Sequence, residues 1–350
     1  MNKGKVTVII PFVNEHRLLS EAVESVTGQT YTNIEILLVN NNAKKDVLEE
    51  AHEWEKKDSR IRVVLEEKQG IPSARNRGIL ESTGEFLTFL DADDAFVPTK
   101  IEKQVNVLIR NPEAPLVYSY FDEVSPDDIH KIVKPDQGAD SPRWLSYIIG
   151  HKTTYRENPF VDPKPSTSMV PKKLAIDVGM FNEEFNPFWI EDTLFNLNLY
   201  EKGKFLFIPE SLTKKRLGSP QRRKDTLLEL RSRWIALKNQ DLLFNILVDR
   251  YRDPSDSQSV KGFKKLRSQW MREFASLFLR YRSGTDLGRK ILAEAIREEP
   301  FNYKNWKEWI KALLPRSTHP MIFGFDALVD QDIDRDSLID PERIFRPKFF

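Results

Sequence analysis

Three carboxylates follow a short apolar segment near the end of the first quarter of this 350-residue chain. The segment Phe86–Leu90 is built from strand-forming residues, and Asp91, Asp93 and Asp94 come directly after it. Like charges at this spacing repel one another, and a strand that ends in them is typical of a cation site. Carboxylates together with substrate phosphates suit Mg²⁺ or Mn²⁺. The alternative is an acidic turn in which Asp94 caps the next helix.

A second pair of acids lies in the middle of the chain. Glu191 and Asp192 follow Trp189 and Ile190, at the start of a helix predicted over Thr193–Lys202. A carboxylate beside apolar surface can take the proton of an attacking hydroxyl group, and a neighbouring tryptophan offers a flat apolar face to a ligand. The alternative for Asp192 is an N-cap after a buried aromatic residue.

A cluster of basic and amide residues opens another predicted helix. Arg75 or Arg77 could reach a phosphate, because a guanidinium matches phosphate geometry. Residues two apart diverge on a helix, so at least one of the two arginines is expected to be structural or to face solvent. Asn76, between them, could hold a loop carbonyl or a ligand hydroxyl.

The elements that must position these residues alternate between strand and helix. Such alternation predicts an α/β fold with a mostly parallel sheet and right-handed crossovers. Ligands of such sheets bind at the carboxyl ends of the strands. The predicted strands are Val6–Ile10, Ile34–Val39, Ile61–Leu65 and Phe86–Leu90. The loops after them are Phe12–Glu15, Asn40–Ala43, Glu66–Ser73 and Asp91–Asp94.

Composition excludes several classes of protein. The absence of cysteine excludes disulfides, thiolate metal sites and a cysteine nucleophile. The five histidines are scattered, and dinucleotide-binding and P-loop patterns are missing, so zinc, oxidoreductase and NTPase functions are not expected. With no apolar run of about 18 residues and no signal peptide, we expect a cytoplasmic protein. We also expect no nucleic-acid partner.

The C-terminal part differs from the rest. We predict three regions: a catalytic domain over residues 1–220, a basic helical extension over 221–315 and a tail over 316–350. Ser211–Pro315 has twice as many basic as acidic residues, which favours an anionic partner or solvated helix faces. The segment Asn305–Leu314 could be an amphipathic helix for peripheral contact with the inner face of the plasma membrane. Packing on the catalytic domain or in a homo-oligomer is the alternative.

About the first 215 residues resemble a family 2 glycosyltransferase with the GT-A fold, of the type that builds bacterial cell-surface glycans. The order and spacing of several motifs carry the resemblance: Val8–Glu15, Ile34–Val39, Gly70–Gly78, Gly84–Asp94, Gly179–Glu183 and Trp189–Asp192. The resemblance implies a nucleotide-diphospho-sugar donor with Mg²⁺ or Mn²⁺, and it does not extend to the C-terminal part.

The resemblance also implies roles for individual residues. Asp93 would bind the metal, with Asp91 nearer the ribose, and Asp192 would be the base, with Glu191 supporting it or binding the acceptor together with Trp189. The basic segment Lys214–Lys224 is expected to be a loop that closes over the donor through Arg222 and Arg223, or else a solvated linker. Donor contacts are assigned to Pro11, Phe12, Val13, Glu15, Asn40, Asn42, Arg75, Asn76, Asp91 and Ala92. For Glu15 a first-turn helix carboxylate is the alternative.

One motif departs from the family pattern. Where two acids, Gly and Ser are usual after the second strand, this chain has Asn40, Asn41, Asn42 and Ala43. An amide can still accept a hydrogen bond from uracil but carries no charge. Uracil stays favoured, with thymine or guanine as alternatives.

The resemblance, together with these residues, implies an inverting, metal-dependent transferase. It would move a sugar from a nucleotide-diphospho-sugar to a glycan or lipid-linked hydroxyl. A nucleotidyltransferase, which would release pyrophosphate, and a non-catalytic sugar-nucleotide-binding protein are the alternatives.

Overall fold

The computed structural model describes residues 4–14, 18–137, 161–187, 190–217, 226–252, 255–278 and 285–313. These residues fall into two compact units, one that ends at residue 236 and one that begins at residue 237. The chain division predicted above, at residues 220 and 315, stays a prediction.

The first half of the first unit is a parallel α/β sheet. Its strand order is β3-β2-β1-β4, and every pair in this part is parallel. β1, β2 and β4 are almost entirely buried, as expected of strands covered on both faces. The elements are β1 Val6–Phe12, α1 Leu18–Thr27, β2 Ile34–Asn40, α2 Lys45–Lys57, β3 Ile61–Leu65, α3 Ile71–Glu81 and β4 Phe86–Phe89.

The second half of this unit continues the sheet with mixed strand directions. The full order is β3-β2-β1-β4-β8-β6-β9-β5, with β7 paired to β6. β8 is antiparallel to both β4 and β6, whereas β6 and β9 are parallel. The elements are β5 Ala95–Phe96, α4 Lys100–Arg110, β6 Val117–Val124, β7 Ile132–Gln137, β8 Ser168–Pro171, α5 Lys172–Asp177, α6 Glu191–Tyr200 and β9 Leu206–Arg216. The predicted α/β class is confirmed, and the sheet is parallel up to β4 and mixed beyond it.

Two local predictions were wrong. The sequence predicted a loop from Lys214 onward, but β9 continues to Arg216 because it pairs with both β5 and β6. The alternative in which Asp94 caps the next helix is also wrong, because α4 begins only at Lys100, with Thr99 before it. Asp94 is instead buried at the sheet edge.

The predicted C-terminal helices are confirmed. They are α7 Thr226–Tyr251, α8 Ser257–Phe278, α9 Thr285–Glu298 and α10 Tyr303–Leu313. In the second unit Leu247, Phe263 and Leu292 are buried, and the buried Asn305 amide of α10 donates to Ser268 Oγ at 2.7 Å and to the Ala295 carbonyl at 2.9 Å. Among the described helices, none combines the length and the apolar character that a membrane span requires.

Candidate active site

One buried arginine joins the two groups of acids that the sequence singled out. The Arg75 side chain, 4% exposed, donates through Nη2 to Asp91 Oδ1 at 3.1 Å and through Nη1 to Glu191 Oε1 at 2.7 Å. Asp91 follows β4, and Glu191 is the first residue of α6. The acidic strand end and the acid pair therefore lie at one place in the folded chain.

Helix α3 carries Arg75 and is held close to the sheet. A Cβ atom added at Gly78 would lie 2.3 Å from Ile9 Cγ2 of β1, so only glycine allows this approach. Asn76 fixes the other side of the helix, because its amide accepts from the Phe181 N–H at 2.9 Å and donates to the Phe181 carbonyl at 2.8 Å. The predicted divergence of the two arginines is confirmed: Arg77 is 43% exposed and pairs with Glu81.

An aromatic cluster sets the orientation of the guanidinium. Phe181 and Phe195 stack with ring centroids 4.3 Å apart, and Phe89 meets Phe181 edge-on at 5.3 Å. The Arg75 guanidinium carbon lies 5.3 Å from the Phe181 ring centroid. β4, α3 and α6 thus meet on a rigid apolar base.

The second acid pair is positioned by a left-handed residue and by a buried carboxylate. Ile190 has a φ of 68°, unusual for a β-branched residue and typical of strained functional sites. Asp192 is partly exposed and accepts from the Thr193 N–H at 2.9 Å. Behind it, the buried Asp162 accepts from Thr193 Oγ1 at 2.6 Å and from Asn196 Nδ2 at 2.7 Å.

The carboxylates in this region differ in their pKa values. Burial and the charge of Asp192 raise the pKa of Glu191, although Arg75 opposes this. Burial and the charge of Asp192 also raise the pKa of Asp162 to about 7, against its hydrogen bonds from Thr193 and Asn196. For Asp91, burial raises the pKa, but Arg75 and Lys215 outweigh it and the net shift is downward. Such divergence is typical of acid–base sites.

The asparagine side chains of the loop after β2 hold the segment that leads into α3. Asn41 accepts from the Gly70 N–H at 2.7 Å and donates to the Lys68 carbonyl at 2.9 Å. Asn40 accepts from the Ala43 N–H at 2.8 Å, whereas Asn42 is exposed and donates to the Glu67 carbonyl at 3.0 Å.

The other residues predicted to bind the donor are placed unevenly. Pro11 and Val13 are half-buried, whereas Phe12 and Ala92 belong to the core. Four predicted residues lie outside the described part of the chain: Glu15, Trp189, Arg222 and Arg223. Their roles stay predictions.

Comparison with known proteins identifies the family. The sequence model described as Glycosyl transferase family 2 matches residues 7–174. The chain carries a glycosyltransferase family 2 domain. An uncharacterised glycosyltransferase of Rickettsia bellii is 37% identical over 32% of this chain but only 16% of its own length. One of Rickettsia prowazekii is 28% identical over 64% of this chain and 68% of its own length.

A solved structure shows the same fold at low sequence identity. The crystal structure of S. aureus TarS 1–349 in complex with UDP superimposes with a TM-score of 0.55 at 14% identity, covering 91% of each chain. The predicted GT-A fold of this family 2 domain is thereby confirmed. The chain covers less than a fifth of the length of the first Rickettsia relatives that it matches.

The structure adds two functional candidates, Lys215 and Asp162. Lys215 belongs to the basic segment Lys214–Lys224 named in the sequence analysis, where only Arg222 and Arg223 were singled out, and Asp162 was not named there. Lys215 Nζ lies 3.6 Å from Asp94 Oδ2 and 3.9 Å from Asp91 Oδ2. Burial raises the pKa of Asp94 to about 7, and Lys215 opposes this. The strand-like segment before Lys215 was a signal that the strand extends to this residue. The run of basic residues Lys214–Lys224 favoured a loop instead. Asp162 stands in a Pro- and Asp-rich segment with no local pattern to single it out.

Three buried polar atoms of this cluster have no hydrogen-bond partner within the described residues: Arg75 Nε, Glu191 Oε2 and Asp94 Oδ2. Buried polar atoms are normally paired, so such a concentration is typical of a functional site.

The donor set around Asp93 fits a divalent ion that arrives with a diphosphate. In the described part of the chain, no three acidic, histidine or cysteine side chains converge as an ion site. The Asp93 side chain is partly exposed, whereas Asp91 faces Arg75 and Lys215 and Asp94 is buried. Mg²⁺ is commonly held by one or two carboxylates together with substrate phosphates and water.

Proposed function

We propose that this chain transfers a sugar from a nucleotide-diphospho-sugar to a hydroxyl group, with inversion at the anomeric carbon. The observation that carries the proposal is the buried Arg75, which contacts Asp91 and Glu191 at once. A donor site at the strand end and a base on α6 then lie within reach of one substrate.

The donor and acceptor classes are part of the proposal. TarS, which shares the fold, is known in complex with UDP, and this supports a nucleoside diphosphate, with UDP favoured. For the acceptor we propose a hydroxyl of a glycan or a lipid-linked glycan, the class that the family resemblance implies.

The reaction is a single displacement. The acceptor oxygen forms a bond to the anomeric carbon while the bond from that carbon to the diphosphate oxygen breaks, and the electron pair leaves with the nucleoside diphosphate. Asp192, which is partly exposed, takes the acceptor proton. Arg75 is a positioning residue, because its two terminal nitrogens already donate to carboxylates and keep Glu191 beside Asp91.

Asp93, with Asp91 nearby, would hold Mg²⁺ or Mn²⁺. When bound, such an ion offsets the negative charge of the diphosphate.

The test removes the proposed base. Asp192→Asn should keep nucleoside-diphosphate binding and lose sugar transfer by about 10²–10⁴-fold, the usual contribution of a general base. The full chain is incubated with Mn²⁺, a panel of UDP-, GDP- and dTDP-sugars and candidate acceptors, and the released nucleoside diphosphate is measured. Asp177→Asn, at an exposed end of α5, is the matched control and should leave the rate unchanged.

Two results would contradict the proposal. Near-normal turnover of Asp192→Asn would remove Asp192 from the mechanism. Release of pyrophosphate instead of nucleoside diphosphate by the wild-type chain would identify a nucleotidyltransferase.

A further inference from the structure

Lys215 lies at the carboxyl end of β9, directly beside the acidic end of β4. Its ammonium is an ion-pair partner of Asp94 and Asp91, with Nζ–Oδ2 distances of 3.6 and 3.9 Å. β9 reaches this point because it pairs in parallel with β6 through Arg216 and in antiparallel with β5 at Lys214. The position of Lys215 is therefore set by the sheet and not by a loop.

Arg75, Arg216 and Lys215 are basic side chains that contact this acidic strand end, and the first two are used internally. Arg75 is 4% exposed and its two terminal nitrogens donate to carboxylates. Arg216 is equally buried and donates to the Asp93 and Pro126 carbonyls and to Glu21. The Lys215 side chain is 34% exposed.

The contacts of Lys215 leave it able to bind a ligand. Both of its ion-pair distances are longer than the 2.7–3.2 Å of a hydrogen bond, and an ammonium has three donors. It can turn toward an incoming anion without breaking a short contact.

The carboxylates that follow β4 would repel a diphosphate bound beside them. Asp91, Asp93 and Asp94 all lie within four residues at the strand end, so an incoming diphosphate requires positive charge close by. Because the sheet already holds Lys215 at this place, its positive charge is present before negative charge develops on the leaving group.

We infer that Lys215 is a built-in cation of the diphosphate subsite, which binds the donor diphosphate and the departing nucleoside diphosphate alongside any divalent ion. This inference rests on the proposed function, because it presupposes a nucleotide-sugar donor. It distinguishes two sources of positive charge at the diphosphate: the Lys215 ammonium and a divalent ion from solution.

The experiment measures binding, not turnover. Isothermal titration calorimetry of the full chain uses UDP and GDP as probes, in excess EDTA and then in Mn²⁺, with uridine and guanosine as probes that lack the diphosphate. Lys215→Met should weaken binding of the preferred diphosphate by about tenfold or more in EDTA, equivalent to about 1.4 kcal/mol. The loss should be smaller in Mn²⁺, and nucleoside affinity should not change.

The chain offers a matched control on the same strand. Lys214 precedes Lys215 and points to the opposite face, so Lys214→Met removes the same charge without touching Asp91 or Asp94. It should bind as the wild type does. Because Lys215→Met leaves Asp94 without its counter-charge, the double variant Asp94→Asn with Lys215→Met is measured in parallel and should show the same loss.

Several results would overturn the inference. Wild-type affinity of Lys215→Met for the diphosphate in EDTA, or equal losses in Lys214→Met and Lys215→Met, would overturn it and leave the proposed function standing. Failure of the wild-type chain to bind any nucleoside diphosphate, with or without Mn²⁺, would overturn both.

Discussion

At the scale of single residues, Arg75 is the side chain that joins the two acidic parts of the candidate site. Its guanidinium neutralises one carboxylate from each side of the site, and burial makes that pairing necessary. A buried ion pair contributes little net stability when compared with an apolar replacement, but the removal of one partner leaves an uncompensated charge. Glu191, which is also buried, would be left in that condition.

Replacement of Arg75 should therefore be costly for the fold. We expect Arg75→Gln to lower the free energy of unfolding by about 3 kcal/mol, measured by urea denaturation followed by circular dichroism. Adding Glu191→Gln should recover part of the loss, because the orphaned charge is then removed. Arg77→Gln, at the exposed neighbouring arginine, should cost about 0.5 kcal/mol or less. A loss below about 1 kcal/mol for Arg75→Gln would show that the bridge is not a structural requirement.

At the scale of elements, α3 and β9 bring their residues to the end of β4 by different routes. α3 depends on close packing, since Gly78 rests on Ile9 of β1 and Asn76 holds the Phe181 backbone. β9 depends on hydrogen-bonded pairing with two strands. A defect in α3 should therefore move Arg75, whereas one in β9 should move Lys215.

The packing of α3 predicts an unusual response to alanine. Alanine normally favours a helix over glycine by about 1 kcal/mol. At Gly78 the added methyl group would meet Ile9 at 2.3 Å, so Gly78→Ala should instead destabilise by about 2 kcal/mol, as overpacking does. Urea denaturation measures the change, with the exposed Arg77→Ala as the control on the same helix. Combined with Ile9→Ala, the two costs should not add. A stabilised Gly78→Ala variant would contradict the close approach of α3 to β1.

At the scale of the whole molecule, the two compact units carry different features. The first unit contains the site, and the second contains helix α10, whose Trp306, Ile310 and Leu313 are exposed while Asn305 and Ala312 are buried. The predicted amphipathic character of this segment is confirmed. Contact with a membrane or a second subunit stays a prediction.

The raised pKa of Asp162 predicts how stability depends on pH. An aspartate titrates near 3.9 when unfolded and, for Asp162, at about 7 when folded. Between these values the folded chain binds the extra proton, so the free energy of unfolding should fall as pH rises from about 4 to about 7. Asp162→Asn should reduce this slope without abolishing it, because the pKa of Asp94 is also raised to about 7. Urea denaturation at pH 5 and pH 7.5 measures the change. Asp177→Asn, at an exposed position, is the control, and an unaltered slope in Asp162→Asn would show that Asp162 does not contribute to it.

The sequence by itself determined the alternation of strands and helices up to β4, the acidic strand end and the acid pair before α6. Those features depend on residues that are near neighbours in the chain, through hydrophobic patterning and turn chemistry. Helical geometry alone also predicted that the two arginines diverge, but not that Arg75 is the buried one and Arg77 the more exposed one.

The tertiary structure decided which distant groups meet. The contact of Arg75 with both acids, the burial of Asp94 and the arrival of Lys215 at the strand end all depend on which strands are neighbours. Strand pairing depends on packing across the whole sheet. The last residues of β9 are in strand conformation because they pair with β5 and β6. Local propensity favoured a loop for these residues. It could not predict the strand, because propensity contains no information about pairing strands that are distant in the sequence.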